Sequence, residues 1–202
     1  MRLIDAINQR GQPFEIPDAS RDDLPQFFLD LEFKVGAEVG VKEGEFSEVL
    51  CKAGLKLYGI DPWIVYPDYP EPGTQQDQDE AMQKALDRLK GYDFTPIKKT
   101  SMGAVKNFED DSLDFVYIDG NHSFKFVAED IFEWSKKVKK GGVISGHDYV
   151  YMQDRKKQIH TKYVVDAYIR AFAIPNWYVI GSHVAIPGEK RDRWRSWFWV
   201  KV

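Results

Sequence analysis

Hydrophobic and polar positions follow two different periods along this chain. Near the N-terminus the spacing is helical, in Leu3, Ile4 and Ile7 and again in Leu24, Phe27, Phe28 and Leu31. Beyond residue 34, short apolar runs take turns with amphipathic stretches. Residues 35–41 read as a strand and 44–53 as a helix closed by Gly54. Residues 57–61 form a second apolar run ending in an acid. Residues 62–75 are rich in Pro and Tyr and read as a long loop. A polar helix is expected over 76–90, its inner stripe made of Ala81, Met82, Ala85, Leu86 and Leu89. Residues 95–99 make a third strand, 114–119 (DFVYID) a buried fourth and 143–145 a fifth. Helices are expected over 126–138 and 163–172, with Gly141 and Gly142 ending the connection to the fifth strand. Two aromatic-rich strands, 177–180 and 197–202, flank a polar loop and predict a terminal antiparallel hairpin.

Strand–helix alternation of this kind predicts an α/β fold with a parallel sheet covered on both faces. Ligands of such sheets bind beyond the carboxyl ends of the strands, near the switch in strand order. The residues at those ends are 40–44, 61–63, 101–102, 119–122 and 146–148. One domain is expected over 1–202: a helical segment over 1–34, a ligand-binding core over 35–149, and a lid, helix and hairpin over 150–202.

Composition narrows the class. With 202 residues and 43% hydrophobic positions, the chain can bury a core without disulfides, and its single Cys51 forms no internal one. A net charge of −4 argues against bulk-charge binding to nucleic acid. No apolar run is long enough to span a membrane, and the polar N-terminus lacks the apolar centre of a signal peptide. A cytoplasmic protein without membrane partners is the expectation.

Two segments carry the first chemistry. Glu38-Val39-Gly40-Val41-Lys42-Glu43-Gly44 has the form E-x-G-x-x-x-G between a strand and a helix. Gly40 permits a tight turn and close ligand approach, and the following helix offers free N–H groups to an anion. Val41 and Lys42 stand where a dinucleotide fingerprint carries its second glycine, which disfavours a pyrophosphate but not a carboxylate. Alone, the segment also fits an ordinary strand–helix turn. Asp61 lies about 20 positions past Gly40, the spacing of an acid that binds ribose hydroxyls. Alone, it equally fits a turn cap before Pro62.

Together these segments resemble the class I S-adenosylmethionine-dependent methyltransferases over roughly residues 33–149. The resemblance implies a Rossmann-like, doubly wound, mostly parallel seven-stranded sheet with a C-terminal antiparallel hairpin. It also implies that Glu38, Gly40, Gly44 and Ser47 line the amino-acid end of S-adenosylmethionine. Asp61 would hold the ribose with Trp63 beside it, and Ser101 and Met102 would flank the adenine. Val41, Phe46, Pro62 and Asp119 complete the implied cofactor-binding set.

Two later segments, Ile118-Asp119-Gly120-Asn121-His122-Ser123 and Gly141-Gly142-Val143-Ile144-Ser145-Gly146-His147-Asp148-Tyr149, resemble the family 24-like subgroup. That subgroup is related to metal-dependent sugar and macrolide O-methyltransferases. The implied metal ligands are Asp119, His147 and Asp148. Mg²⁺ prefers oxygen ligands, whereas the imidazole of His147 suits Mn²⁺ or Fe²⁺ better, or the site holds no metal. His122 is the expected general base, because an imidazole takes up a proton near neutral pH. A structural histidine serving the next helix is its alternative. For the whole chain the expected activity is methyl transfer to an oxygen of a small molecule or sugar. The rivals are a nicotinamide-dependent oxidoreductase and a cofactor-binding protein without catalysis.

Four features remain. Lys136, Lys137, Lys139 and Lys140 form a solvated helix terminus favoured by the helix dipole. Residues 189–195 (EKRDRWR) read as a solvated loop. The stretch 149–163, with Arg155, Lys156, Lys157 and His160, reads as a lid over the substrate. The aromatic strand with Trp197, Phe198 and Trp199 either buries against the core or pairs with a second copy in a homo-oligomer.

Overall fold

The computed structural model describes residues 1–66, 73–152 and 159–202. Its elements in chain order are α1 (Leu3–Ala6), β1 (Phe14–Ile16), a 3₁₀ turn (Arg21–Asp23), α2 (Leu24–Asp30), β2 (Val35–Val39), α3 (Glu45–Lys52), β3 (Lys56–Ile60) and α4 (Gln75–Arg88). There follow β4 (Phe94–Ile97), α5 (Ser101–Ala104), β5 (Leu113–Ile118), α6 (Phe124–Lys137), β6 (Val138–Tyr149), α7 (Thr161–Ala171), β7 (Tyr178–Ile180) and β8 (Arg195–Val200). The strands form one eight-stranded sheet in the order β1-β7-β8-β6-β5-β2-β3-β4. β8 runs antiparallel to both of its neighbours, and every other pairing is parallel. The fold is Rossmann-like α/β with the expected terminal hairpin.

The count is eight strands, not seven. The additional strand is β1, within the segment expected to be wholly helical. Three residues are too few to show a period, and β1 is defined by its register with Tyr178–Ile180 far along the chain. β6 is also longer than expected. Its polar start, Lys139–Gly142, bonds into the sheet with a register shift opposite Leu113 and Phe115. The aromatic strand β8 lies inside the sheet, with Trp197, Phe198 and Trp199 buried. Those rings therefore serve the core.

Helices cover both faces because each has one apolar stripe. On one face Val127, Ile131 and Trp134 of α6 and Val164 and Val165 of α7 pack on Ala37, Val116 and Ile144. On the other, Leu24, Phe27 and Phe28 of α2 and Phe46 and Leu50 of α3 pack on Leu57, Phe115, Tyr117 and Phe198. The chain grows outward from β2 through β3 to β4, then returns to β5 on the other side of β2. The switch in strand order thus lies at β2, between β3 and β5, and opens the crevice that holds the site.

Of the two loops with expected chemistry, residues 67–72 of the Pro/Tyr loop lie outside the described residues. So do residues 153–158, with Arg155, Lys156 and Lys157 of the expected lid. No described helix is long and apolar enough to cross a membrane.

Candidate functional site

A cavity of about 890 Å³ opens at the carboxyl ends of β2, β3 and β5. Its floor is set by glycine. Gly40 has φ +93°, and a Cβ there would sit 2.2 Å from the Asp119 carbonyl oxygen. Only hydrogen fits, so the loops after β2 and β5 touch. Gly40 N–H donates to Ile60 (2.8 Å) and Asp119 N–H to Val39 (2.7 Å), joining the three strand ends. Gly44 starts α3 in the left-handed region at φ +75°.

Asp61 lines the cavity and also shapes it. One carboxylate oxygen accepts the N–H groups of Val41 (3.0 Å) and Lys42 (2.9 Å), the other that of Trp63 (2.8 Å). Burial pushes its carboxyl up, opposed by these three N–H groups. Trp63 departs from expectation. Its ring is fully buried against Val41, Ala81 and Ala85, and its indole N–H donates to the Lys42 carbonyl (2.9 Å). It lies outside the cavity lining, so it packs and braces the loop instead of lying against a ligand ring. Gly44 and Ser47 also lie outside the lining, whereas Glu38, Gly40, Val41, Phe46, Asp61, Pro62, Ser101, Met102, Asp119 and His122 belong to it.

Glu38 is buried, and the Ser47 hydroxyl on α3 donates to it. Burial pushes its carboxyl up to about 8, with Asp119 adding to the rise and Arg21 opposing it. Arg21 is a lining residue that no motif announced. Its guanidinium lies 3.5 Å from Asp119 and 5.0 Å from the Phe46 ring centroid. The 189–195 run, expected to be a solvated loop, fixes this segment: Asp192 accepts the Arg21 N–H (2.7 Å) and Lys190 pairs with Asp23 (2.7 Å).

Beyond β5 and β6, two acids and two imidazoles meet. His122 Nδ1 lies 3.0 Å from one oxygen of Asp148, and His147 Nδ1 3.0 Å from the other. His147 Nδ1 is 3.8 Å from Asp119. Burial disfavours charge on Asp148, yet the two histidines hold its carboxyl well below the usual range. Burial raises Asp119, opposed chiefly by His147. Burial lowers His147, but Asp148 and Asp119 leave it raised overall. One ligand atom each from Asp119, His122 and Asp148 comes within 4.8 Å of the others, a donor set that fits a divalent transition metal. This set differs from the expected one in its histidine. Asp148 has φ +59°, where pairing with β8 shifts register between Gly146 and Tyr149. That kink breaks strand alternation and lets the carboxylate reach His122 on the loop after β5. His147 stands beside the group, its Nε2 buried with no hydrogen-bond partner among the described residues.

The N-terminus of α6 is served by other groups: Phe124 N–H donates to His160 Nδ1 (3.1 Å), and Ser123 N–H to the Asn121 side chain (3.0 Å). At the opposite end of the cavity, the Ser101 hydroxyl donates to Asp130 of α6 and accepts the Trp134 indole N–H (2.8 Å). Burial pushes the Asp130 carboxyl up to about 7. Asp130 was not anticipated, although an acid inside the Val127–Ile131–Trp134 stripe is a legible signal, since buried acids demand a partner.

A mostly parallel sheet with a glycine-floored crevice at its switch point, flanked by buried acids, is the architecture of Rossmann-like methyltransferases. The model of the family described as Methyltransferase domain matches residues 37–149, and the chain belongs to that family. No curated protein matches in sequence. Among solved structures, the O-methyltransferase TomG from Streptomyces achromogenes, in complex with SAM, is similar at TM-score 0.61 and 15% identity, over 90% of this chain and 79% of that one. The O-methyltransferase from Bacillus cereus in complex with SAH follows at 0.60 and 14%, over 89% and 80%. An rRNA methylase from Streptococcus thermophilus matches at 0.61 and 13%, over 89% and 94%. These likenesses show the fold.

Proposed function

We propose that this methyltransferase moves a methyl group from S-adenosylmethionine to a hydroxyl oxygen of a small molecule or sugar, assisted by a divalent metal. The observation that carries the reading is the convergence of Asp119, His122 and Asp148 on one side of a cavity whose glycine floor and buried acids suit a nucleoside cofactor. S-adenosylmethionine supplies an already activated methyl on a positive sulfur, so catalysis rests mainly on positioning. Asp119, His122 and Asp148 would hold Mn²⁺, Fe²⁺ or Mg²⁺, which lowers the pKa of a bound hydroxyl. Glu38, with Gly40, Val41 and Phe46, would line the amino-acid end. Asp61 would hold the loop over the ribose while meeting its hydroxyls beside Pro62, and Ser101 and Met102 would border the adenine. The net charge of −4 supports a small acceptor over a nucleic acid.

A second reading is favoured by one distance. With His122 Nδ1 3.0 Å from Asp148, the pair has the form of an oriented general base, in which His122 takes the acceptor proton without a metal. Calorimetric titration with S-adenosylhomocysteine, with and without Mn²⁺, separates these cases. Micromolar binding is expected, and no binding to folded protein overturns the cofactor reading. Asp119→Asn and Asp148→Asn are each expected to weaken Mn²⁺ binding at least about tenfold while leaving cofactor affinity within a few fold. Full turnover in excess chelator would transfer the chemistry to the His122–Asp148 pair.

A further inference from the structure

His160 lies outside the group at Asp148, yet it touches the loop that builds that group. It directly precedes α7, between Ile159 and Thr161, which are both buried. Helix α7 is itself packed into the core through Val164, Val165 and Ile169. The backbone at His160 is thereby a fixed point, and two hydrogen bonds run from it to the loop after β5. Its N–H donates to the His122 carbonyl (2.8 Å), and its ring Nδ1 accepts the Phe124 N–H (3.1 Å). The two bonds fall on either side of Ser123 and close a clasp around the backbone that carries His122. Inside the clasp, the Ser123 N–H is held by the Asn121 side chain (3.0 Å). The first N–H groups of a helix have no partner within it, and the His160 ring supplies one to α6. Service to the helix after β5, which the sequence allowed for His122, thus falls to a histidine on another element.

The sheet register of β5 ends at Ile118, so His122 is placed by its loop and by whatever holds that loop. Its ring sits 3.0 Å from Asp148, which stands on the left-handed kink of β6. A contact of that length tolerates little movement: a backbone shift of about 1 Å at His122 carries it beyond hydrogen-bond range. We propose that His160 is a positioning residue for His122. Its Nδ1, by accepting the Phe124 N–H, and its backbone N–H, by holding the His122 carbonyl, set the loop so that the His122 imidazole meets Asp148. An acceptor at Nδ1 leaves the proton of the neutral ring on Nε2, so the clasp selects one tautomer of His160. The inference rests on His122 acting as metal ligand or as base, and it holds for either, because both need that imidazole beside Asp148. Groups that orient a ligand in this way matter nearly as much as the ligand itself.

The test uses two variants of the full chain. His160→Leu removes the ring acceptor and keeps the backbone N–H. His160→Asn puts a carboxamide oxygen where Nδ1 stands. Calorimetry with Mn²⁺ alone is expected to show binding weakened about tenfold or more in His160→Leu and largely recovered in His160→Asn. Affinity for S-adenosylhomocysteine is expected to stay within a few fold in both. Mn²⁺ binding equal to wild type in His160→Leu overturns the proposal. So does equal weakening in the two variants, because the ring's bulk, and not its acceptor, would then be what matters. Should His160→Leu not fold, His160→Gln replaces it, since its carbonyl oxygen lies one atom further out and misses the Phe124 N–H. Should folded wild type bind no Mn²⁺, the metal reading falls and the base reading is left. The variants are then compared by NMR through the ring signals of His122, identified by their loss in His122→Ala. Those signals are expected to move in His160→Leu and to return toward wild type in His160→Asn, and unmoved signals in His160→Leu overturn the proposal.

Discussion

Glu38 shows how far burial alone moves a side chain's chemistry. Its carboxyl ordinarily titrates at 4.5, but in the fold it holds its proton to about 8. Across that interval the folded chain binds more protons than the unfolded one, so stability falls as pH rises and the loss is complete above about 8. Asp130 adds a slope of the same sign up to about 7. At about 1.4 kcal/mol per pKa unit, Glu38 accounts for a loss on the order of a few kcal/mol. Glu38→Gln, which keeps the shape and the partner Ser47, is expected to flatten the decline in denaturation midpoint between pH 5 and 8. A slope equal to wild type would refute this. At this scale the sequence was legible wherever a residue's position in the cavity lining follows from its place after a strand, as with Gly40, Asp61 and Asp119. It was misleading for Trp63, because aromatic character does not tell a ring facing a cavity from one sealed beneath a loop. Asp130 passed unnoticed for a related reason: its acid character is visible in the sequence, but its partner Ser101 lies on another element.

Most helices and strands of the core begin and end within a few residues of where the periodicity places them, since their caps are local. Thr74 and Asp77 start α4 with a reciprocal capping box, and Gly44 starts α3. The loops after β2 and β5 are a different case, because their fit depends on each other. Gly40→Ala would add a Cβ 2.2 Å from the Asp119 carbonyl and force a φ of +93° on alanine. The backbone must shift, and a loss of about 3 kcal/mol or failure to fold is expected in chemical denaturation. A variant within 0.5 kcal/mol of wild type, a margin usual for neutral surface changes, would contradict the loop–loop contact. The kink at Asp148 was not legible, since a left-handed aspartate inside a strand comes from pairing irregularities with β8 that no local pattern announces.

At the scale of the whole molecule, the N-terminal segment proves to be part of the core and of the site. Phe28 stacks on Phe115 of β5 with ring centroids 4.1 Å apart, and Arg21 reaches Asp119 from the same segment. Phe28→Ala is therefore expected to cost about 3–5 kcal/mol, read from the shift in denaturation midpoint, as for other buried aromatic truncations. A loss under 1 kcal/mol would mean that this segment packs loosely. The Tyr178 hydroxyl donates to the carbonyls of Ile7 (2.7 Å) and Gln9 (3.2 Å), and the acidic and basic residues of 189–195 clamp the turn that carries Arg21. By itself the sequence determined the α/β alternation, the parallel core, the glycine turn with its following acid, and the acids and histidines at the strand ends. These depend on local period, on glycine's conformational freedom and on position relative to a strand, all of which act over a few residues. Tertiary structure alone decided that β1 joins the sheet, that Arg21 and Asp130 enter the cavity, that Trp63 leaves it, and that His122 completes the group with Asp119 and Asp148. Each of those outcomes depends on pairing or packing between residues far apart in the chain, where neither period nor spacing carries information.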